Sequence, residues 1–350
     1  MRDMDRLLAR KRALTPGIAM AAPRAPFRWH RVPYVHAMLE PNSRYAEGVL
    51  TTDALGLRRV WWQSRLIGFA EFQQLPGPKK LLIGASTAYS MGCSADRTSI
   101  ASRLCDATGV PWFHLAMGSH VSTQELILYC LTNPKEIDEI VILSGLNTLS
   151  ACLLNESAGA RDDVFPPNFH FSPATDAGLL QQLLGRIHQR LADGWGGGQA
   201  PMPSIAQAQP RMQAALTVME NTLEVFNDIC RSRQVALTFL AQPLLSAMRK
   251  PLAPQEEELA DIQRRLSAHR AFRLWGLYGR VLPAVYPAYC RSLGEICRRL
   301  GMRFADLNEA PRLNTPQWLF SDQAHFTDEG CAACMDIITA LSRVGAACGA

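Results

Sequence analysis

The hydrophobic pattern changes character at residue 79. Before it, residues 1 to 45 are rich in Arg and Pro and carry no sustained apolar period, which predicts an extended arm or a loosely packed lead-in. Residues 48 to 62, GVLTTDALGLRRVWW, mix β-branched positions with Asp53 and Gly56. That mixture predicts short strands joined by a turn, so residues 1–78 read as an arm plus a small β preface, with the Trp61-Trp62 pair packing between preface and main sheet.

From residue 79 onward, short apolar runs alternate with segments whose apolar positions recur at steps of three and four. KKLLIGAS (79–86) predicts a buried strand, DRTSIASRLCDATG (96–109) a helix stopped by Gly109, PWFHLAMG (111–118) a strand, and SHVSTQELILYCLTN (119–133) a helix. EIDEIVILSGLN (136–147) predicts a third strand through Ile140, Val141, Ile142 and Leu143. RMQAALTVMENTLEVFNDICRSRQ (211–234) reads as a long helix and VALTFLAQP (235–243) as a fourth strand. YPAYCRSLGEICRRLGMRFADLNEA (286–310) gives a further helix and strand, and TDEGCAACMDIITALSRVG (327–345) a closing helix. Uninterrupted apolar strands alternating with helices predict an α/β fold, a parallel central sheet covered on both faces. Two segments break the rhythm: residues 152–210, which include VFPPNFHFSP, and the Glu- and Arg-rich residues 249–282. Both read as insertions placed to cover a site.

Composition narrows the class without naming an activity. The chain has 350 residues, 48% hydrophobic and 19% charged, with a net charge of +5. That is an ordinary globular balance, and the scattered basic residues leave no nucleic-acid footprint. No run reaches the ~18 apolar residues of a membrane span. The N-terminal stretch MRDMDRLLARKRALTPG lacks an apolar signal core, so the expectation is a cytoplasmic protein in which most of the ten cysteines stay reduced. Cys331 and Cys334 form a C-x-x-C without a second pair at zinc spacing.

In a parallel sheet, ligands gather beyond the carboxyl ends of the strands. Ser86 lies at such an end, and taken alone it reads as a helix N-cap. GASTAYSMG lacks the lysine of a phosphate loop. Later strand ends supply the other parts that acyl transfer needs: Gly118-Ser119, Asn147 in SGLN, and Asp322 with His325 in FSDQAHFTDEG. A serine nucleophile requires a base, the base an orienting acid, and the tetrahedral intermediate hydrogen-bond donors.

Taken in order, Ser86 in IGAS, Gly118 in LAMGS, Asn147 in SGLN, and Asp322 with His325 in DQAH resemble the signature blocks of the SGNH (GDSL-type) hydrolase superfamily, over residues 79 to 345. FLAQP and FADLNEA also resemble segments of these enzymes. The resemblance implies a three-layer α/β/α, flavodoxin-like domain over residues 79–350. It also implies Ser86 as nucleophile, His325 as general base, Asp322 as its orienting acid, and an oxyanion hole from the Ser86 and Gly118 N–H groups and the Asn147 amide. Ser119 is the alternative to Gly118, and Thr87 and His120 are candidate substrate contacts. No metal or cofactor is implied. Two supporting positions depart from the pattern: Ala85 stands where relatives carry Asp, and Thr148 where they carry a second acid. The implied substrate is a small ester or thioester, cleaved by an esterase or deacylase. The alternatives are a biosynthetic acyltransferase or thioesterase and a non-catalytic binding protein on the same fold. His114 reads as structural, Asp328 with Glu329 as acids serving a helix N-terminus, and His170 only as a weaker candidate for a lid.

Overall fold

The computed structural model describes residues 2–15, 29–32, 36–39, 41–45, 50–154, 202–267 and 273–347. Most of the 152–210 insertion, including His170, lies outside the described residues.

The central sheet has five strands: β1 (Lys79–Gly84), β2 (Trp112–Ala116), β3 (Ile137–Ser144), β4 (Ala236–Ala241) and β5 (Arg303–Asp306). All pair in parallel, in the spatial order β2-β1-β3-β4-β5. This is the order of flavodoxin-like doubly wound folds, whose winding reverses between β1 and β3. Register aligns the strand ends: Gly84 pairs with Ala116 and Leu143, and Ala241 with Ser144 and Asp306. Loops that follow β1, β2 and β3 therefore emerge side by side.

Helices cover both faces of the sheet. The chain forms α1 (Arg2–Leu14), α2 (Phe69–Gln73), α3 (Ile100–Thr108), α4 (Ser122–Thr132), α5 (Leu146–Leu154), α6 (Ile205–Ser232), α7 (Pro254–Leu266), α8 (Arg273–Arg280), α9 (Leu282–Arg299) and α10 (Asp328–Ala347). α3 and α10 pack together in one layer; α4, α5 and α9 gather around α6 in the other. Leu81, Leu82, Ile83, Ile140 and Leu143 are fully buried. Each contributes about 1.5–3 kcal/mol by leaving water.

Several elements depart from the sequence pattern. Residues 2–14 form a helix instead of an extended lead-in, because Met4, Leu7, Leu8 and Leu14 share one face and pack against Ile262 and Leu266 of α7. The intervening basic residues hide this period. α6 begins at Ile205 under a Ser204/Gln207 capping box and runs through Pro210, earlier than the apolar spacing indicates. α5 carries Asn147 in its first turn, where the sequence reading has only a strand end. The preface is a set of two-stranded antiparallel pairs. One of them, Val60–Trp62 with Arg65–Ile67, turns through Gln63 and Ser64 at positive φ and lies against α3, where the Trp61 N–H donates to the Ser102 hydroxyl at 2.9 Å. A buried ion pair, Arg58 to Asp96 at 2.7 Å, bolts this preface to the loop after β1: the Arg58 guanidinium also donates to the Ser90 carbonyl at 2.7 Å.

Candidate active site

β1 and β3 approach closely at their carboxyl ends. A Cβ on Gly84 would lie 2.1 Å from the Leu143 carbonyl oxygen and 2.8 Å from the Ala88 side chain, so only glycine fits. The chain then enters a run of turns, with Tyr89 N–H donating to the Ala85 carbonyl at 2.9 Å and Met91 N–H to that of Ser86 at 3.0 Å. Ser86 is consequently not a helix cap. That position belongs to Ser99, whose hydroxyl accepts from the Ser102 N–H at the start of α3. The Ser86 hydroxyl instead faces His325, with Oγ to Nε2 at 2.7 Å.

His325 stands on a tight loop before α10 that Asp322 shapes. One Asp322 oxygen accepts from the Ala324 and His325 N–H groups, both at 2.9 Å, and the carboxylate also meets His325 Nδ1 at 2.8 and 2.9 Å. The D-x-x-H spacing is what lets a single carboxylate close the turn and orient the ring. Burial by itself would raise the Asp322 pKa. The charge and hydrogen bond of His325, joined by Lys11 and the Ala324 N–H, overcome this and hold it well below the usual carboxylate range. Asp322 is thus ionised at neutral pH and fixes the protonated ring nitrogen on its own side, leaving Nε2 toward the serine.

Three neighbours hold the histidine loop. The Thr87 hydroxyl donates to the Ala324 carbonyl at 2.9 Å, tying the serine loop directly to the histidine loop. The loop after β4 reaches it through Leu245 N–H to the Gln323 carbonyl at 2.8 Å and Ser246 N–H to the Gln323 side chain at 3.0 Å. Glu256, fully buried at the start of α7, accepts from the Leu319 and Phe320 N–H groups at 3.0 Å each, and from Lys250 Nζ at 2.6 Å. Asp328 does more than serve a helix start: it accepts from the Ser94 N–H at 2.8 Å and the Thr98 hydroxyl at 2.7 Å, so α10 is pinned to the serine loop.

The next two strand ends carry the other sequence-predicted residues. Gly118 and Ser119 form the turn after β2, with Ser119 at φ +64. Among the described residues, no acceptor stands opposite the Ser86 or Gly118 N–H. Asn147 donates one amide hydrogen to the His120 carbonyl at 3.0 Å, which joins the second and third loops and leaves its other hydrogen uncommitted. Thr148 accepts from the Ser122 N–H at 3.0 Å and anchors the start of α4. Beneath them Glu125 accepts from the Ser144 hydroxyl at 2.7 Å; burial outweighs that hydrogen bond and pushes its pKa up to about 8.

His120 is buried and its carbonyl holds Asn147; Thr87 is buried with its hydroxyl turned to Ala324. His114 lies in β2, bonded to the Arg58 carbonyl at 2.9 Å and stacked on Tyr89. Burial and the nearby Arg58 push its pKa down to about 3, so it stays neutral. Cys331 and Cys334 are buried in α10. The supports at Lys250, Glu256 and Thr148 have no motif of their own; only the capping pattern before α7, with Glu256 at its third position, signals one of them.

No family model matches the chain, and no curated protein does. Solved structures that resemble it include a protein from Bacteroides fragilis described as an acylhydrolase, 11% identical with a TM-score of 0.42 over 79% of this chain and 94% of that one. A GDSL-like lipase from Bacteroides thetaiotaomicron is 12% identical, with a TM-score of 0.36 over 79% and 95%. An extracellular lipase from Streptomyces rimosus is 11% identical, with a TM-score of 0.40 over 75% and 99%. No described helix is long and apolar enough to cross a membrane.

Proposed function

We propose that this chain is a serine-dependent ester hydrolase of the SGNH type, working through an acyl-serine intermediate. The observation that carries the reading is the continuous chain from Ser86 Oγ to His325 Nε2 at 2.7 Å and from His325 Nδ1 to Asp322 at 2.8 Å. Ser86 Oγ attacks the acyl carbonyl carbon while Nε2 takes its proton, and the imidazolium is stabilised by the Asp322 carboxylate. The carbonyl oxygen becomes an oxyanion that receives the Ser86 and Gly118 N–H groups and the spare Asn147 amide hydrogen. Collapse expels the alcohol, which leaves with the proton from Nε2. Water then repeats the sequence on the acyl-serine, releasing the acid and restoring the hydroxyl.

The two departures from the SGNH pattern fit this mechanism. Ala85 removes a carboxylate from the serine loop, and the Thr87–Ala324 hydrogen bond and the Arg58 contact with Ser90 hold that loop instead. Thr148 supports α4 through a hydroxyl. The test is labelling by a fluorophosphonate, together with turnover of short 4-nitrophenyl esters with and without alcohol or amine acceptors. Labelling and acid release by the wild type, both absent from Ser86→Ala, are expected. Equal behaviour of the two proteins would overturn the nucleophile assignment, and preferential transfer to the acceptor would replace the hydrolase with an acyltransferase.

A further inference from the structure

The loop that carries His325 is closed on itself. Phe320 and Phe326 form an antiparallel bridge, and the Thr327 N–H donates to the Leu319 carbonyl at 2.9 Å. The His325 carbonyl accepts from the Ser321 N–H at 2.9 Å and from the Ser321 hydroxyl at 3.1 Å. Together with the Asp322 carboxylate on the Ala324 and His325 N–H groups, these bonds fix the shape of the loop from within. They do not fix its distance from Ser86. That distance is set by contacts that cross from the serine loop.

Two crossings flank the histidine. Before it, Thr87 Oγ1 donates to the Ala324 carbonyl at 2.9 Å. After it, Gly92 packs so closely that a Cβ there would lie 2.2 Å from the Phe326 carbonyl oxygen. Ser86 and Thr87 thus meet His325 and Ala324 as two consecutive rungs, the first at 2.7 Å and the second at 2.9 Å. The Ala324–His325 peptide is gripped at both polar ends, its C=O by Thr87 and its N–H by Asp322. The imidazole hangs from the Cα next to this peptide, so a tilt of the peptide plane swings Nε2 away from the serine. Thr87 and Ala324 are both buried, and solvent does not make good a hydroxyl lost between them.

We propose that Thr87 is a positioning residue for acyl transfer, its hydroxyl holding His325 within proton-transfer distance of Ser86 through the Ala324 carbonyl. The proposal rests on Ser86 as the nucleophile for its kinetic consequence, while the hold on His325 stands on the two rungs. The hydroxyl hydrogen is committed to Ala324, so Thr87 acts on the chemical step and not on substrate binding. A reacting group displaced by about 1 Å loses about 10²-fold in rate.

The test uses the full chain with Thr87→Val, which keeps the branched shape and loses the donor, and Thr87→Ser, which keeps the donor. On 4-nitrophenyl acetate, Thr87→Val is expected to lower kcat and kcat/KM alike by ten-fold or more, with KM within two-fold of the wild type. Fluorophosphonate labelling is expected to slow by a similar factor, and Thr87→Ser to restore most of both. If Thr87→Val does not fold, as judged by its melting curve, Thr87→Ala takes its place. A further readout needs no turnover: the ring-nitrogen NMR signals of His325, assigned with His325→Gln, are expected to shift or broaden in Thr87→Val and to return in Thr87→Ser. A kcat within two-fold of the wild type overturns the proposal. A loss confined to KM does so as well, and makes Thr87 a substrate contact. A loss that Thr87→Ser shares in full also overturns it, because the donor is then not what matters. Absence of both labelling and turnover in the wild type defeats the nucleophile reading instead. The nitrogen signals then decide Thr87 by themselves: shifted signals sustain its hold on His325, and unchanged ones overturn it.

Discussion

Ser86 Oγ and His325 Nε2 meet at 2.7 Å although 239 residues of chain separate them. One follows β1 and the other precedes α10, and the Thr87–Ala324 and Asp328–Ser94 hydrogen bonds lock the two loops together. Under the proposed mechanism Ser86, His325 and Asp322 act as one proton-transfer unit, so their losses should not add. Ser86→Ala and His325→Ala are each expected to lower kcat/KM on 4-nitrophenyl acetate by about 10³-fold or more, and the double variant by little beyond either single one. Asp322→Asn is expected to fall by about 10²–10⁴-fold. Multiplying losses in the double variant would show that the two groups do not act in one step.

Asn147 makes a separate prediction, because its amide ties down the His120 carbonyl and, in the proposed mechanism, gives its other hydrogen to the oxyanion. Asn147→Ala should lower kcat by about 10²–10³-fold while KM moves little, since the oxyanion exists only in the transition state. Fluorophosphonate labelling should slow in parallel. A change confined to KM would place Asn147 in ground-state binding alone.

Glu125 should reveal itself through stability. Its pKa stands at about 8 in the folded protein against an ordinary 4.5, with burial the main cause. Between those values the folded protein holds a proton that the unfolded chain releases. The associated stability is complete below pH 4.5, declines as pH rises, and is exhausted above about pH 8. The loss is on the order of 5 kcal/mol at most. Glu125→Gln keeps an acceptor for Ser144 and abolishes the titration, so its melting temperature should exceed that of the wild type at pH 8 and converge with it near pH 5. Melting curves that run parallel across this range would mean that Glu125 is ionised in the fold.

Glu256 is the structural counterpart. It is buried with Lys250 at 2.6 Å and accepts two N–H groups of the segment leading to His325. Removing one member of a buried pair strands the other, so Glu256→Ala should cost about 3–5 kcal/mol in denaturant unfolding. Replacing the pair by Lys250→Met with Glu256→Gln, which still accepts a backbone hydrogen bond, should recover part of that loss. A single variant as stable as the wild type would show that α7 does not anchor the histidine loop.

The layered sheet was legible in the chain, as were the strand ends that carry Ser86, Gly118 and Asn147 and the D-x-x-H of Asp322 and His325. Strand burial leaves uninterrupted apolar runs such as Ile140–Leu143, and a local constraint such as D-x-x-H needs only a few adjacent residues to be visible. The sequence also carried the period of α1 in Met4, Leu7, Leu8 and Leu14, masked by the basic residues between them. Packing in three dimensions is what leaves the role of helix cap to Ser99 instead of Ser86, lets Thr87 and Asp328 bridge two loops, and raises the Glu125 pKa by burial. One cause underlies all of these. Hydrogen bonding, desolvation and charge depend on which groups the fold brings within a few ångströms, and residues 86 and 325 have no relation in the chain until the loop after β1 meets the loop before α10.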